Sequence, residues 1–369
     1  MNNILFINPT SRIGGAEKSL LQILNGLDRK RFNPIVLLPS SGPLPDELKL
    51  MGIKVVFAPR PIIEAHSMIE IPIALFWLNL LVKKYRISLV HSNSKFSSRL
   101  PALYAGYSRK NAVLHWRDFS LWPDEKRYIN KYQDRLVFFA ISNAVRDFLI
   151  ENGIDPMHIR IIYDGAAPSF YQLPLPSSHT PHPLKLAITG RIDNWKGHEY
   201  LIEALGMLKD LPVELLVFGE FHKVNDPGYL DKLKGRIDSL GIADRVKFLG
   251  FQKDPAGSLA GVDVVCVPSL FEPFGMVAVE AMAAGRPVIA SNTGGLKDII
   301  VDGLTGFLIE PKDPRIIAEK INLLYTDPGL REKMGKAGRE RARSNFSITE
   351  QIRNIEEIYD GIISHNPDH

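Results

Sequence analysis

Two carboxylates, Glu272 and Glu280, stand eight positions apart around a Pro273-Phe274-Gly275 turn, directly after the apolar run Val262 to Pro268. A helical pattern follows from Met276 and Val277 through Ala284 to Gly285-Arg286-Pro287. Strand, acidic turn and helix N-terminus are thus compressed into one short segment. That arrangement suits a polyhydroxylated phosphate ester: backbone N–H groups at the helix start face the phosphates, and carboxylates accept hydrogen bonds from hydroxyls. The plainer alternative is an amphipathic unit whose acids are solvated. Glu272 between aromatic residues and Glu280 in an otherwise apolar helix fit that alternative less well, since buried charge is costly without a partner.

Three further loops carry groups of the same kind. Thr10-Ser11-Arg12-Ile13-Gly14-Gly15-Ala16-Glu17 joins a first strand to a first helix, and Gly14 and Gly15 let the backbone approach a phosphate there. The pattern is not G-x-G-x-x-G, which argues against a dinucleotide cofactor. Thr189-Gly190-Arg191-Ile192-Asp193-Asn194-Trp195-Lys196-Gly197 occupies the equivalent place in the second half. Arg191 offers bidentate geometry and Lys196 a mobile point charge to a diphosphate, against the alternative of two solvated surface cations. Leu114-His115-Trp116-Arg117-Asp118 ends a first-half strand, where open α/β sheets place their binding crevice, so His115 and Asp118 are candidates for chemistry. Metal binding has no support in spacing: the histidines are scattered, and C-x₂-C and D-x-D are missing.

These loops need a scaffold. Short β-branched runs alternate with helical patterns, the signature of parallel sheets with crossover helices. The expected strands are 4–7, 33–38, 54–57, 89–91, 112–115, 136–140 and 160–162 in the first half. In the second they are 184–189, 213–218, 246–249, 262–267, 288–290 and 307–309. Prolines 174, 176, 181 and 183 break the pattern and predict an interdomain linker over 170–183. Two domains result, 1–170 and 184–346, with a final helix at about 347–366 free to pack back on the first.

The 369 residues are 45% hydrophobic and 23% charged, which is globular composition. Residues 1–170 hold 22 Lys and Arg against 14 Asp and Glu; the remainder hold 23 against 27. A basic first half points to an anionic partner on that side, and with no nucleic-acid signature present, nucleic acid is the weakest choice. Cys266, the single cysteine, is expected as a buried thiol. The strand pattern that starts at Ile4 leaves no room for a signal peptide, so a reducing cytoplasm is the expected compartment. The apolar segment 71–82 is followed by Lys83-Lys84-Tyr85-Arg86. It is too short for a span and is read as a core helix or, alternatively, as a peripheral contact with an anionic membrane.

The second half resembles the retaining glycosyltransferases of family 4. The resemblance rests on Gly190-Arg191 with Lys196-Gly197, Phe248-Leu249-Gly250-Phe251, Pro268-Ser269, the E-x₇-E pair, Gly285-Arg286-Pro287-Val288, Gly294-Gly295 and Asp302-Gly303-Leu304-Thr305-Gly306. The first half matches more loosely, through Gly14-Gly15-Ala16-Glu17, H-x-x-D at His115 and Asp118, and Ile141-Ser142-Asn143-Ala144. The resemblance implies a GT-B fold, two Rossmann-like domains facing each other across a cleft. It implies a metal-independent, retaining hexosyltransferase without cofactor, whose donor is a nucleotide sugar, UDP-hexose (UDP-glucose, for example) before GDP-hexose. The acceptor would be a cell-surface polysaccharide or lipid-linked glycan of the cell envelope, at the cytoplasmic face of the membrane. By resemblance, Glu280 holds ribose hydroxyls, and Glu272 with the backbone of Phe274, Gly275, Met276 and Val277 holds the hexose. Arg191 and Lys196, beside Gly190, neutralise the diphosphate, which Gly15 approaches from the other domain. Phe251 and Gly219 lie toward the base, and His115 faces the anomeric centre. Two departures stand out: Asp164-Gly165-Ala166-Ala167 where the family has Asn-Gly-Val-Asp, and a glycine turn reduced to Gly219-Glu220-Phe221. A non-catalytic GT-B scaffold subunit, or a hydrolase or epimerase of the same donor, are the rival readings.

Overall fold

The computed structural model describes residues 1–65, 67, 69–175, 183–221 and 227–364. The chain divides into two compact units: residues 1–164 with 348–369, and residues 165–347.

The first unit runs β1 (Asn2–Ile7), α1 (Gly15–Gly26), β2 (Phe32–Leu38), α2 (Pro43–Leu50), β3 (Lys54–Phe57), α3 (Arg60–Glu64) and α4 (Glu70–Tyr85). It continues with β4 (Ile87–Ser92), α5 (Arg99–Ser108), β5 (Ala112–Trp116), α6 (Pro123–Tyr132), β6 (Leu136–Ala140), α7 (Asn143–Glu151) and β7 (Ile159–Ile161). The strands form one sheet in the order β3-β2-β1-β4-β5-β6-β7, and every pair is parallel. Parallel pairing needs crossover helices, which cover both faces and leave strands such as β5 buried throughout.

The second unit runs α8 (Pro168–Tyr171), β8 (Leu184–Thr189), α9 (His198–Met207), β9 (Val213–Phe218), α10 (Tyr229–Leu240), β10 (Val246–Gly250) and α11 (Pro255–Leu259). It continues with β11 (Val264–Val267), α12 (Met276–Ala283), β12 (Val288–Ser291), α13 (Leu296–Ile299), β13 (Gly306–Ile309), α14 (Pro314–Thr326) and α15 (Pro328–Asn345). Its parallel sheet is ordered β10-β9-β8-β11-β12-β13, so both sheets reverse direction of growth beside their first strand. That reversal opens a crevice at the carboxyl ends, between β1 and β4 in one unit and between β8 and β11 in the other.

The last helix, α16 (Ile348–Ser364), returns to the first unit. Its Ile355, Tyr359, Ile362 and Ile363 join a core cluster with Leu20, Ile23 and Leu24 of α1 and Phe32 of β2. The change of unit falls at Asp164/Gly165, ahead of the expected 170–183 linker; residues 176–182 of that linker lie outside the described residues. The segment before them packs within the second unit, where Arg339 Nη2 donates to the Leu173 carbonyl at 2.7 Å and to that of Ala284 at 2.8 Å.

Candidate active site

In the second unit, the crevice between β8 and β11 holds a cavity of about 130 Å³ lined by Thr189, Lys196, Ser269, Glu272 and the start of α12 at Gly275, Met276 and Val277. Lys196 enters because the loop after β8 is pinned to the loop after β11. Leu270 N–H donates to the Trp195 carbonyl at 2.7 Å, and a Cβ on Gly197 would lie 2.0 Å from the Pro268 carbonyl oxygen. Gly197 also sits at φ +74, so glycine is required there on both counts. The Lys196 ammonium meets Glu272 Oε2 at 2.5 Å, and Ser269 Oγ donates to the same oxygen at 3.2 Å. The carboxylate therefore aims the cation at the mouth of the α12 N-terminus, where unpaired backbone N–H groups and the helix dipole favour an anion.

Glu272 is fixed from behind as well. Gly295 N–H donates to its carbonyl at 2.9 Å, and a Cβ on Gly294 would stand 1.9 Å from that oxygen. The Gly294-Gly295 pair thus lets two loops touch, and Gly275 at φ +116 starts α12 in a conformation a side chain would oppose. Phe274 is buried beneath this turn. Glu280, just over one turn into α12, is half-buried and does not line the cavity.

Arg191 also stays outside it. Its side chain is 53% exposed, with Nε 3.5 Å from Asp193 Oδ2 and the guanidinium over the Trp195 ring. Gly219 closes the neighbouring loop: its N–H donates to the Gly250 carbonyl, and a Cβ would fall 1.7 Å from the Gly190 oxygen. The shortened turn keeps the one glycine that this contact demands. Phe251, next to Gly250, is exposed. Cys266 lines the cavity floor; burial pushes its thiol up to about 12, so it is a neutral wall.

In the first unit, the crevice between β1 and β4 holds a larger cavity of about 460 Å³. Thr10 and Glu17 line one side; Ser94, Lys95 and Phe96 line the other; Arg60, Glu64, Arg117 and Asp118 also line it. Glu17 accepts from Gly14 N–H at 3.0 Å and from Asn8 Nδ2 at 3.2 Å, which fixes the start of α1. A Cβ on Gly15 would meet nothing within 4 Å, so the protein's own packing does not require glycine there. Asp118 accepts from Ser120 N–H at 2.9 Å and lies 3.7 Å from the Lys95 ammonium, itself nearly buried. That ammonium also bonds Ser120 Oγ and sits under Phe96 and Trp122, 4.7 and 4.9 Å from the ring centres.

His115 does not belong to this cavity, contrary to expectation. It is fully buried among His91 and Phe139, and its Nδ1 lies 3.3 Å from Arg117 Nη2. Burial first, then the Arg117 and His91 charges, hold its imidazole well below the ordinary 6.5. The strand continues one residue beyond it, so Arg117 and not His115 reaches the rim. Arg117, Lys95 and Ser269 were missed by sequence reasoning. Each follows the carboxyl end of a strand flanking a sheet reversal or its neighbour, and that position was the available signal. Among the described residues no group of three or more His, Cys, Asp or Glu side chains could hold a metal ion.

Residues 177–341 match the family model of glycosyl transferases group 1, and residues 13–170 match that of glycosyltransferase family 4. The D-inositol 3-phosphate glycosyltransferase of Corynebacterium kroppenstedtii is 30% identical over 322 residues, 77% of this chain and 69% of that protein. Its counterpart from Corynebacterium diphtheriae is 36% identical over 189 residues, 48% of this chain but only 42% of that protein. Among solved structures, Anabaena HepE in complex with UDP superposes with a TM-score of 0.85 at 25% identity, over 98% of this chain and all of that one. A glycosyltransferase from Rickettsia africae shares the fold, with a TM-score of 0.87 at 24% identity over 99% of both chains. The two sheets and their crevices define the GT-B class. The chain belongs to glycosyltransferase family 4.

Proposed function

We propose that this protein is a retaining hexosyltransferase that takes its sugar from a nucleotide sugar, UDP-hexose first, without a metal or other cofactor. The observation that carries the reading is the Lys196–Glu272 contact of 2.5 Å at the N-terminus of α12. A cation and a helix terminus there suit a leaving diphosphate, and Glu272 suits the hexose hydroxyls beside it. Glu280 is assigned to the ribose, and Arg191 to the diphosphate after turning from Trp195. The bond from the anomeric carbon to the phosphate oxygen breaks, the acceptor oxygen bonds the same face of that carbon, and the acceptor proton passes to the departing phosphate. HepE, solved with UDP and with UDP and glucose, supports a uridine nucleotide as the carrier.

The first-unit cavity is assigned to the acceptor. Its cations Arg60, Lys95 and Arg117 stand beside the carboxylates Glu17, Glu64 and Asp118, a mixed lining that suits a polyhydroxylated acceptor, and relatives named for D-inositol 3-phosphate support a phosphorylated one. The exposed Phe96 and Trp122 rings offer a stacking surface for a glycan or lipid-linked glycan. Asp118 replaces His115 as the residue placed to orient an acceptor hydroxyl.

A thermal-shift screen over UDP-, GDP- and ADP-hexoses tests the donor, because a ligand of the native state raises its melting temperature. UDP-hexose should raise it in the wild type and not in Lys196→Ala; no shift with any of the three sinks the reading. Free hexose formed without acceptor would instead make the protein a hydrolase, and donor binding without turnover a scaffold subunit. Proton NMR of the product settles the stereochemistry, and an inverted anomer overturns retention.

A further inference from the structure

We propose that the outer face of α4 docks the first unit on an anionic lipid surface. The helix is apolar on two opposite sides. Ala74, Leu78, Leu81 and Val82 are buried in the unit, as any packed helix requires. On the other side Ile69, Ile73, Phe76 and Leu80 are 78%, 55%, 65% and 50% exposed. Their spacing of four, three and four residues confines them to an arc of about 60° over three turns. Single exposed apolar residues are ordinary, whereas a continuous row of four large ones marks a contact surface. No charged residue interrupts the segment 71–82.

The charges at the end of the row select the occupant. Lys83 and Lys84 follow Leu80 at three and four residues, so they prolong the same face, and both are exposed, as is Arg86. Lys54 of β3 adds a fourth cation: its ammonium lies 4.3 Å from the centre of the Tyr85 ring. Glu70, at the far end, is half-buried and accepts from Ser67 N–H at 2.9 Å. An apolar row that ends in four cations, with a half-buried Trp77 alongside, matches a helix lying in the plane of a bilayer interface. The row inserts among acyl chains while the cations meet anionic head groups. A second copy of the chain would cover the apolar row but would set the lysine pairs against one half-buried carboxylate each. No helix among the described residues is long and apolar enough to cross a membrane, so α4 lies on the surface.

Sedimentation of the full chain with vesicles tests the proposal, without donor or acceptor, so its outcome is independent of the transfer reaction. Vesicles of phosphatidylglycerol and phosphatidylcholine should bind the protein, those of phosphatidylcholine alone at least tenfold less, and added salt should release it. The double variants Phe76→Asp/Leu80→Asp and Lys83→Glu/Lys84→Glu should each lose binding tenfold or more with unchanged circular dichroism, since all four side chains are exposed. Absence of binding to anionic vesicles overturns the proposal, as does equal binding by the wild type and both variants. A concentration-dependent dimer that Phe76→Asp/Leu80→Asp dissolves would place a second copy on the face and overturn it likewise.

Discussion

Arg117 and Asp164 form an ion pair inside the first unit, with side chains only 10% and 6% exposed. Asp164 Oδ1 also accepts from Ser19 Oγ at 2.7 Å and from Gln351 Nε2 at 2.8 Å. The pair gives a physical reason for one departure from the family pattern. Where the family carries Asn before glycine, this chain carries Asp, and the neutral amide would leave the nearly buried guanidinium without a counter-charge. Asp164→Ala should therefore destabilise the protein by about 3–5 kcal/mol, as breaking one side of a buried pair does. Asp164→Asn, which can still accept from Ser19 and Gln351, should cost less. Urea unfolding measures both; losses below about 1 kcal/mol would mean that solvent screens the pair.

Lys196 is expected to matter through the leaving group alone. Lys196→Ala should lower kcat/KM by about 10²–10³, the usual loss for one preorganised electrostatic contact at a reacting centre. Its side chain is 23% exposed, so the fold should survive, and an unchanged Tm alongside the lost rate separates chemistry from stability. Arg191→Ala should cost less, because Arg191 starts outside the cavity.

Gly219→Ala tests the shortened turn. The added methyl would overlap the Gly190 carbonyl at 1.7 Å, and φ +147 already opposes a side chain. Strain of about 1–3 kcal/mol is expected, together with weaker donor binding because Gly190 begins the loop that carries Lys196. Calorimetric titration with UDP reads the second effect. Wild-type affinity in this variant would show that the loop moves freely.

Acid should weaken the fold through histidines held neutral. Burial is the first cause in each case, and it lowers His91 to about 3 and His198 to about 4, with His115 also well below 6.5. The unfolded chain then takes up protons before the folded one. Stability is complete above pH 6.5 and is lost as pH falls toward the folded values. Each histidine contributes up to about 1.4 kcal/mol per pH unit in that window. Urea unfolding at pH 5, 6, 7 and 8 should show the decline, and His115→Gln should flatten it.

Much of the fold was legible because parallel strands covered on both faces are continuous apolar runs. The thirteen strands among the described residues fall where those runs do. α14 and α15 were not read: α15 in particular is dense in Lys, Arg and Glu, and its buried Arg331 and Gly338 give no apolar period. The packing partner changes at Asp164/Gly165, before the prolines, because prolines mark irregular backbone and not a change of packing partner; Phe170 is buried and belongs to the second unit. At the site, the structure brings Lys196 and Glu272, read from the sequence as two separate elements, to one cavity. His115, expected at the cleft, is buried because β5 extends to Trp116, which leaves the histidine inside a two-sided core.

The return of α16 to the first unit has a consequence for biogenesis. Ile355, Tyr359, Ile362 and Ile363 complete a core whose other buried members lie in the first 162 residues, yet they emerge from the ribosome after the whole second unit. The unit begun first is thus finished last. Until the closing helix arrives, Leu20, Ile23 and Phe32 lack part of their cover, and the nascent chain presents that apolar surface to whatever chaperone attends synthesis.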